Sequence, residues 1–551
     1  MNTPMESLRL ISLVVFCVSV FLLGEKWIQQ YGPRPAPAPA RSAPAADTPV
    51  PSSSTVPAAR APAAPATAPA VAAGQILTLE SDVLRLQVST AGGDIRHAEL
   101  LSHRDTLDRS RNFVLLESGR RTYLAQSGLL GAGLPNHRTL YTAANTSARL
   151  EPGADEVRLE LSHRDAATGL EVVRTYRARR GEYVVRLSYE VRGLAANTKP
   201  SGYFQLVRDD SAPEGDSRWV PTYNGVAVFT ARDKYQKVNF SDIAKGKASH
   251  ARDGTDGWIA MVQHYFVSAW LPAEGTKREF FTRALDNGLY AAGVVVPATA
   301  GSETGRWSLE IPLYVGPQQQ DRLASLAPGL EYTVDYGWLT VIATPLFWTL
   351  SFIHGSVASN WGVAIILLTV LLKLIFFPLS AASYKSMARM RVLGPRLQKL
   401  KEQFGDDRQK MQQAMMELYR TEKINPLGGC LPIVVQIPVF IALYWVLLGS
   451  VEMRQAPFAL WIDDLSSPDR FYVLPVLMGI SMIVQSRLNP EPPDPIQAKV
   501  MKIMPIAFSV FFFFFPAGLV LYWLVNNVLS IAQQWYITRQ LEKAGLAERK
   551  R

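Results

Sequence analysis

The chain has 551 residues, of which 48% are hydrophobic and 19% charged, and its formal net charge is +10. That length exceeds one ordinary domain. The basic excess does not form the single aromatic-interleaved block of a nucleic-acid binder; it lies beside apolar runs, which fits membrane topology. Cys17 and Cys430 fall in separate apolar elements, which argues against a structural disulfide. No metal-ligand spacing and no ATP-binding motif appears, so no metal or cofactor is expected.

Residues 9–24 (RLISLVVFCVSVFLLG) form the first apolar run, followed by Trp27 and Tyr31 at interface depth. A cleaved signal peptide is the alternative, but the head carries Arg9 and Glu6 rather than a basic region, so residues 1–31 read as an uncleaved anchor. Residues 32–74 are almost entirely Ala, Pro, Ser and Thr. Such a segment buries no core and is expected to be a disordered linker, reaching ~130 Å if wholly polyproline-like.

Residues 75–330 change character. In YVVRLSYEV, Tyr183, Val185, Leu187, Tyr189 and Val191 share one face, with Arg186, Ser188 and Glu190 on the other. Val157, Leu159 and Leu161 repeat the pattern, and segments 75–88 and 305–316 read as further strands. A large all-β sandwich is expected. No catalytic constellation stands out in it: His97, His103, His137, His163, His250 and His264 are scattered, and Asp209, Asp210 and Glu214 read as a solvated turn.

Residues 331–358 place Trp338, Ile342, Leu346, Leu350 and Ile353 near helical spacing, and an interfacial amphipathic helix is expected there. Further spans are expected at 359–380, 431–450, 471–487, 503–515 and 517–537. The core is thus 359–537, with five spans, and the anchor makes six. Loop 381–427 holds ten basic residues against five acidic ones, so it should face the cytoplasm. The tail 538–551, with Arg539, Lys543, Arg549, Lys550 and Arg551, points the same way. Counting spans then puts both termini inside and the β domain outside.

Within loop 381–427, Met387, Met390, Leu393, Leu397, Leu400 and Phe404 make an apolar stripe, Gly405-Asp406-Asp407 offers a break and an N-cap, and Met411, Met415 and Leu418 continue on a second helix. This predicts a cytoplasmic helical hairpin. Mutual packing of its helices and a contact with a ribosome or nascent chain account for its Met-rich, basic character equally well.

The most informative residue is Lys373, a charge inside the run IILLTVLLKLIFFPL. At mid-bilayer depth it costs about 2.5–3.5 kcal/mol. Thr369 lies four residues earlier, on the same helix face. Tyr522, Asn526, Ser530 and Gln533 form a polar face in the last span, with Trp523 and Asn527 beside it, and Gln436 lies between Pro432 and Pro438. The spans therefore read as a bundle around a polar intramembrane surface. Helix–helix hydrogen bonding is the plain alternative for the amides, and snorkelling to the inner interface is the plain alternative for Lys373. Residues 503–515 supply only about 20 Å of helix against roughly 30 Å of hydrocarbon, which would thin the bilayer locally.

The run INPLGGCLPIVVQIPVFIALYWVLLGSVEMRQAPFALWIDDLS (424–466) resembles the core signature of the YidC/Oxa/Alb membrane insertase family, and FFPAGLVLYWLVNN (514–527) resembles its last-helix motif. AQSGL (125–129), GWIAMVQHYFVSAWLP (257–272) and TVDYGWL (333–339) resemble the outer domain and linker helix of Gram-negative members. The likeness covers all but the 32–74 linker. It implies a multi-domain protein of the inner membrane: an all-β supersandwich in the periplasm, an α-helical membrane bundle and a cytoplasmic helical hairpin. It implies a non-enzymatic insertase and chaperone, acting alone or with the Sec translocon (SecYEG and SecDF type). Its clients would be nascent membrane proteins and its medium the membrane lipid, through a hydrophilic groove open to cytoplasm and lipid. Lys373 matches a basic groove residue that is Arg in many members; Gln436, Tyr522 and Trp523 match other groove positions, and Thr369 and Asn526 would complete the polar lining. The short tail weakens the case for a tail-mediated ribosome contact and leaves hairpin 381–427 as the candidate. The rival class is a solute transporter or channel, but the internal repeats such proteins usually show are not evident. A purely structural envelope anchor would leave Lys373 unexplained.

Overall fold

The computed structural model describes residues 74–194, 198–213, 222–301, 305–404, 407–422, 431–488 and 495–543. The expected anchor at 1–31, nearly all of the linker at 32–74, Glu214, Gly405, Asp406 and the tail beyond 543 lie outside the described residues. The described residues divide into two compact units, one containing residues 74–335 with 449–452, the other 336–448 with 453 onward.

The first unit is a β-sandwich. One sheet of ten strands runs in the order Asp253–Gly254, Arg278–Ala284, Leu289–Pro297, Ser201–Asp209, Thr122–Leu130, Asn112–Ser118, Ile95–Arg104, Leu84–Ser89, Ile76–Glu80, Ser147–Arg149. The other follows Lys234–Val238, Gly225–Thr230, Trp258–Gln263, Phe266–Trp270, Trp307–Pro317, Val184–Arg192, Leu170–Arg179, Glu156–Asp165, with Thr299–Ala300 pairing beside Trp307–Pro317. Pairing is antiparallel except between Ile76–Glu80 and Ser147–Arg149. Period-two burial sets the register: Val185, Leu187, Tyr189 and Val191 are at most 1% exposed, whereas Glu190 faces water. One hydrophobic cluster takes Leu77, Leu86 and Phe204 from the first sheet and Leu161, Trp258 and Ile311 from the second.

A polar layer crosses this core. Arg174 is 1% exposed; it donates to the Gly92 carbonyl at 2.6 Å and to Ser127 Oγ at 2.8 Å. Its guanidinium lies over the rings of Tyr176 and Tyr189. Gln205 donates to Gln126, and Gln126 to Asp94, at 2.9 and 2.8 Å. Burial pushes the Asp94 carboxyl up to about 7, against the opposing pull of the Gln126 amide and the Arg174 guanidinium. Short helices α1 (Phe240–Ala244) and α2 (Gln320–Leu326) complete the unit.

The second unit is helical: α3 (Thr340–Ser356), α4 (Trp361–Ile375), α5 (Phe377–Val392), α6 (Gly394–Phe404), α7 (Arg408–Thr421), α8 (Leu431–Gly449), α9 (Val473–Leu488), α10 (Pro495–Phe511) and α11 (Ala517–Lys543). Helix α11, about 40 Å long, packs against α4, α5 and α9. Among the described residues, the helix over 337–356 is alone long and apolar enough to cross a membrane by itself. It is not amphipathic as expected. It buries Ala343, Leu346, Phe347, Leu350 and Ile353, but its opposite face carries exposed Val341, Trp348 and Phe352.

The span expected at 359–380 is not one straight helix either. It breaks at Phe376, and the axis turns by 64° between α4 and α5. Pro378 has no N–H for the Leu374 carbonyl, and its ring would clash there, so the helix bends instead of continuing. The hairpin's first helix likewise splits at Leu393, ahead of Pro395. Asp407 N-caps α7, accepting from the Lys410 amide at 3.1 Å. Arg396 pairs with Glu422 between the hairpin's two ends.

Candidate functional site

The face of α4 turned into the bundle is set by residues three and four apart: Ala364, Ile365, Leu368, Thr369 and Lys373 are buried. Leu371, Leu374 and Ile375 on the other face are 39–63% exposed. Lys373 therefore points away from the apolar outer surface, and it is only 8% exposed.

Its ammonium donates to Ser530 Oγ at 2.7 Å. The Ser530 hydroxyl proton goes to the Asn526 carbonyl, also at 2.7 Å, which leaves its lone pairs for the cation. Among the described residues, no carboxylate lies within ion-pair distance of Lys373.

Beside the ammonium opens a cavity lined by Thr369, Lys373, Ser380, Gln436, Tyr522 and Asn526, with Leu372, Phe376 and Val439 as its apolar walls. It holds about 310 Å³ of empty space, solvent at its mouth included. Gln436 donates to Asn526 Oδ1 at 3.1 Å, and Tyr522 lines the cavity beside them. Thr369 donates to the Ile365 carbonyl at 2.7 Å, so it presents lone pairs rather than a proton to the cavity.

Five of the six residues singled out in the sequence (Lys373, Thr369, Gln436, Tyr522 and Asn526) meet at this cavity. Trp523 does not line it: its ring packs on Phe440 at 4.6 Å and Phe512 at 5.6 Å. The polar residues of α11 divide among three neighbours. Ser530 and Gln533 bond to Lys373 of α4 and Asn526 to Gln436 of α8, whereas Asn527 donates to Ser481 and Gln534 to the Leu488 carbonyl of α9. For the second pair the helix–helix bonding alternative describes what is observed. Ser530, the direct partner of Lys373, stands on the polar stripe visible in the sequence, but a stripe does not say which of its members meets the lysine.

Such a site suits transient hosting of a polar or anionic group. A lone cation is held by neutral partners, with amide, hydroxyl and phenol groups ready to exchange hydrogen bonds. Among the described residues, no group of three or more His, Cys, Asp or Glu is placed to hold a metal ion.

Comparisons with known proteins agree with this architecture. Residues 352–544 match the family described as the 60Kd inner membrane protein, and residues 76–349 match the YidC periplasmic domain. The membrane protein insertase YidC of Methylobacillus flagellatus is 53% identical, with 98% of each chain covered. That of Aromatoleum aromaticum is 52% identical, again with 98% of each covered. A crystal structure of an active YidC insertase with its first transmembrane domain resolved matches 85% of this chain and 95% of its own, at 17% identity and a TM-score of 0.39. With an inner-membrane family match on the helical part, a periplasmic-domain match on the sandwich, and full-length relatives above 50% identity, the chain belongs to the YidC family of membrane protein insertases.

Proposed function

We propose that the chain inserts and folds inner-membrane proteins, and that the cavity beside Lys373 is the groove that receives the polar end of a client. The observation that carries this reading is the buried ammonium, without a carboxylate partner among the described residues, opening onto a polar cavity inside an apolar bundle. A client's acidic end enters past Ser380 and rests near Lys373. Its apolar helix moves into lipid, and the polar end is released outside. Energies of similar size make this a transient host. A carboxylate at mid-bilayer costs about 2.5–3.5 kcal/mol. A cation about 4 Å away at an effective dielectric of about 20 returns about 4 kcal/mol.

The proposal includes the topology: five core spans and an anchor, both termini and hairpin 381–427 in the cytoplasm, and the boundaries given above. Nascent membrane proteins are the clients; the Sec translocon and, at the hairpin, the ribosome are proposed partners. The basic loop and tail support that orientation. The bend at Phe376 supports a hairpin that leaves the bundle at an angle.

The test is insertion of an acid-ended client by Lys373 variants in vesicles. Lys373→Arg keeps the charge and should retain most activity. Lys373→Glu repels the client and should lower the rate by about tenfold or more, the change expected from about 1.4 kcal/mol. Equal activity of the two variants would remove Lys373 from the mechanism.

A further inference from the structure

Helices α4 and α11 run side by side in the same direction. Both begin at the 454–472 loop: the Asn360 side chain, which caps α4, donates to the Phe458 carbonyl at 2.9 Å, and the Gly518 amide of α11 donates to the Leu465 carbonyl at 2.9 Å. Further along, Ser530 accepts from the Lys373 ammonium. Gln533 stands one turn beyond Ser530, about 4.5 Å closer to the end of α11 and on the same face as Asn526 and Ser530.

Gln533 does not line the cavity, yet it is turned toward α4. Its side-chain Nε2 donates to the Lys373 carbonyl at 3.5 Å, a long contact. The reverse amide orientation would set two oxygens against each other, so the contact fixes which end is which. Oε1 is left over. It is shut off from solvent and accepts no hydrogen bond among the described residues. A buried amide oxygen costs free energy unless a donor reaches it.

The nearest spare donor is the lysine itself. Its ammonium carries three protons, and Ser530 Oγ takes one of them. A helical side chain leans toward the start of its helix, which brings the ammonium to the level of Ser530. The flexible stem also swings the other way, toward the end of α4 and the level of Gln533.

We propose that Gln533 is a positioning residue, and that its Oε1 is a second station for the Lys373 ammonium, one turn nearer the hairpin than Ser530. The lysine then works as a swinging arm. It meets the acidic end of a client at the inner station and carries it to the outer one, beside the cavity. Lysine suits this movement and arginine does not. An ammonium on a flexible stem exchanges one acceptor for another, whereas a planar guanidinium fork bridges both at once. The proposal rests on the groove reading, but one of its two tests uses no client, so failure of one is distinguishable from failure of the other.

Both tests use the full chain in lipid. In the first, lysine ζ-15N and glutamine δ-13C are incorporated, and their dipolar coupling is read by solid-state NMR. Ser530→Ala frees the ammonium from the outer station, so a coupling should grow in that disappears when Gln533→Leu is added. No such difference between the two folded variants would overturn the proposal. In the second, the insertion rates of an acid-ended client and its neutral counterpart are compared. Orientation is controlled by thiol labelling of Leu460→Cys, a position 91% exposed, with Cys17 and Cys430 replaced by serine. Gln533→Leu should slow the acidic client by about tenfold, the change expected when a hydrogen bond to a charged group is lost, and the neutral client by less than about twofold. In the Lys373→Arg background the same substitution should slow either client by less than about twofold, because the fork needs no second station. Equal slowing of both clients, or an undiminished effect in the Lys373→Arg background, would make Gln533 a packing residue and overturn the proposal. If insertion fails in every background, the groove reading fails, and the NMR coupling still decides whether the second station exists.

Discussion

Replacing Ser530 by alanine removes the oxygen to which the Lys373 ammonium donates at 2.7 Å. Hydrogen bonds to charged groups contribute about 1.5–3 kcal/mol. The competing position is near at hand, because α4 ends two residues later at Ile375, within one lysine side-chain length of the bend. Losing the bond should shift the balance between an ammonium held at the cavity and one withdrawn toward the hairpin by about tenfold or more. The assay is the initial rate of protease protection for two clients that differ only in the acidity of their translocated end. Ser530→Ala should slow the acidic client by about tenfold and the neutral client by less than about twofold, because only the acidic client draws on the placed charge. Ser530→Thr keeps the hydroxyl and should restore the rate. Equal loss for both clients would mean that Ser530 serves packing alone, and no loss for either would refute its role in placing Lys373.

Three other consequences can be measured. Asp94 titrates at about 7 in the folded sandwich against 3.8 as a free side chain, so the folded state binds the extra proton. Its contribution is fully present below pH 3.8 and is lost as pH rises through about 7, up to about 4 kcal/mol in all. Half-buried His97 and His250, whose pKa values desolvation lowers, act in the opposite sense on acidification, so the comparison is between the intact chain and Asp94→Asn, which should lose the alkaline part of the decline. Identical pH profiles from chemical unfolding would contradict the assignment. Arg174→Met removes the donor to Gly92 and Ser127 and takes away the stronger of the two cations acting on Asp94, leaving Arg96. The sandwich should lose about 3–5 kcal/mol, on the order of a 10 °C fall in its thermal midpoint by calorimetry. Pro378→Ala supplies an amide for the Leu374 carbonyl, so α4 and α5 should straighten and the distance between spin labels at positions 371 and 385 should lengthen; an unchanged distance would place the cause of the bend elsewhere.

The sandwich was legible because one face of each strand is dry. The alternation from Val185 to Arg192 survives translation into three dimensions residue by residue, and Val184 ahead of it is buried as well. Lys373 was legible for a similar reason: a charge in an apolar run has few places to go, and Thr369 four residues earlier had to share its face. Other features depended on geometry that one-dimensional patterns do not carry. Apolar length in 359–380 masks the backbone chemistry of Pro378, and the apolar stripe of 387–404 masks that of Pro395, although the helices break just ahead of both. The apolar spacing within 331–358 suggests an amphipathic helix, but the opposite face of the observed helix also carries exposed Val341, Trp348 and Phe352. Trp523 adjoins Tyr522 in sequence, yet neighbours on a helix are about 100° apart; both rings meet Phe440, and Tyr522 but not Trp523 lines the cavity. The meeting of Ser530 with Lys373, 157 residues apart, rests on helix packing. So does the bonding of the 454–472 loop to the amides of Ala517 and Gly518.

The most direct test of the central claim is reconstitution. The purified full chain is placed in liposomes, and a small client of one or two spans with an acidic translocated end is synthesised in their presence. Protection of that end from added protease should depend on the chain and fall with Lys373→Glu. No protection, with the chain shown folded and oriented by labelling at residue 460, would contradict autonomous insertion through this groove.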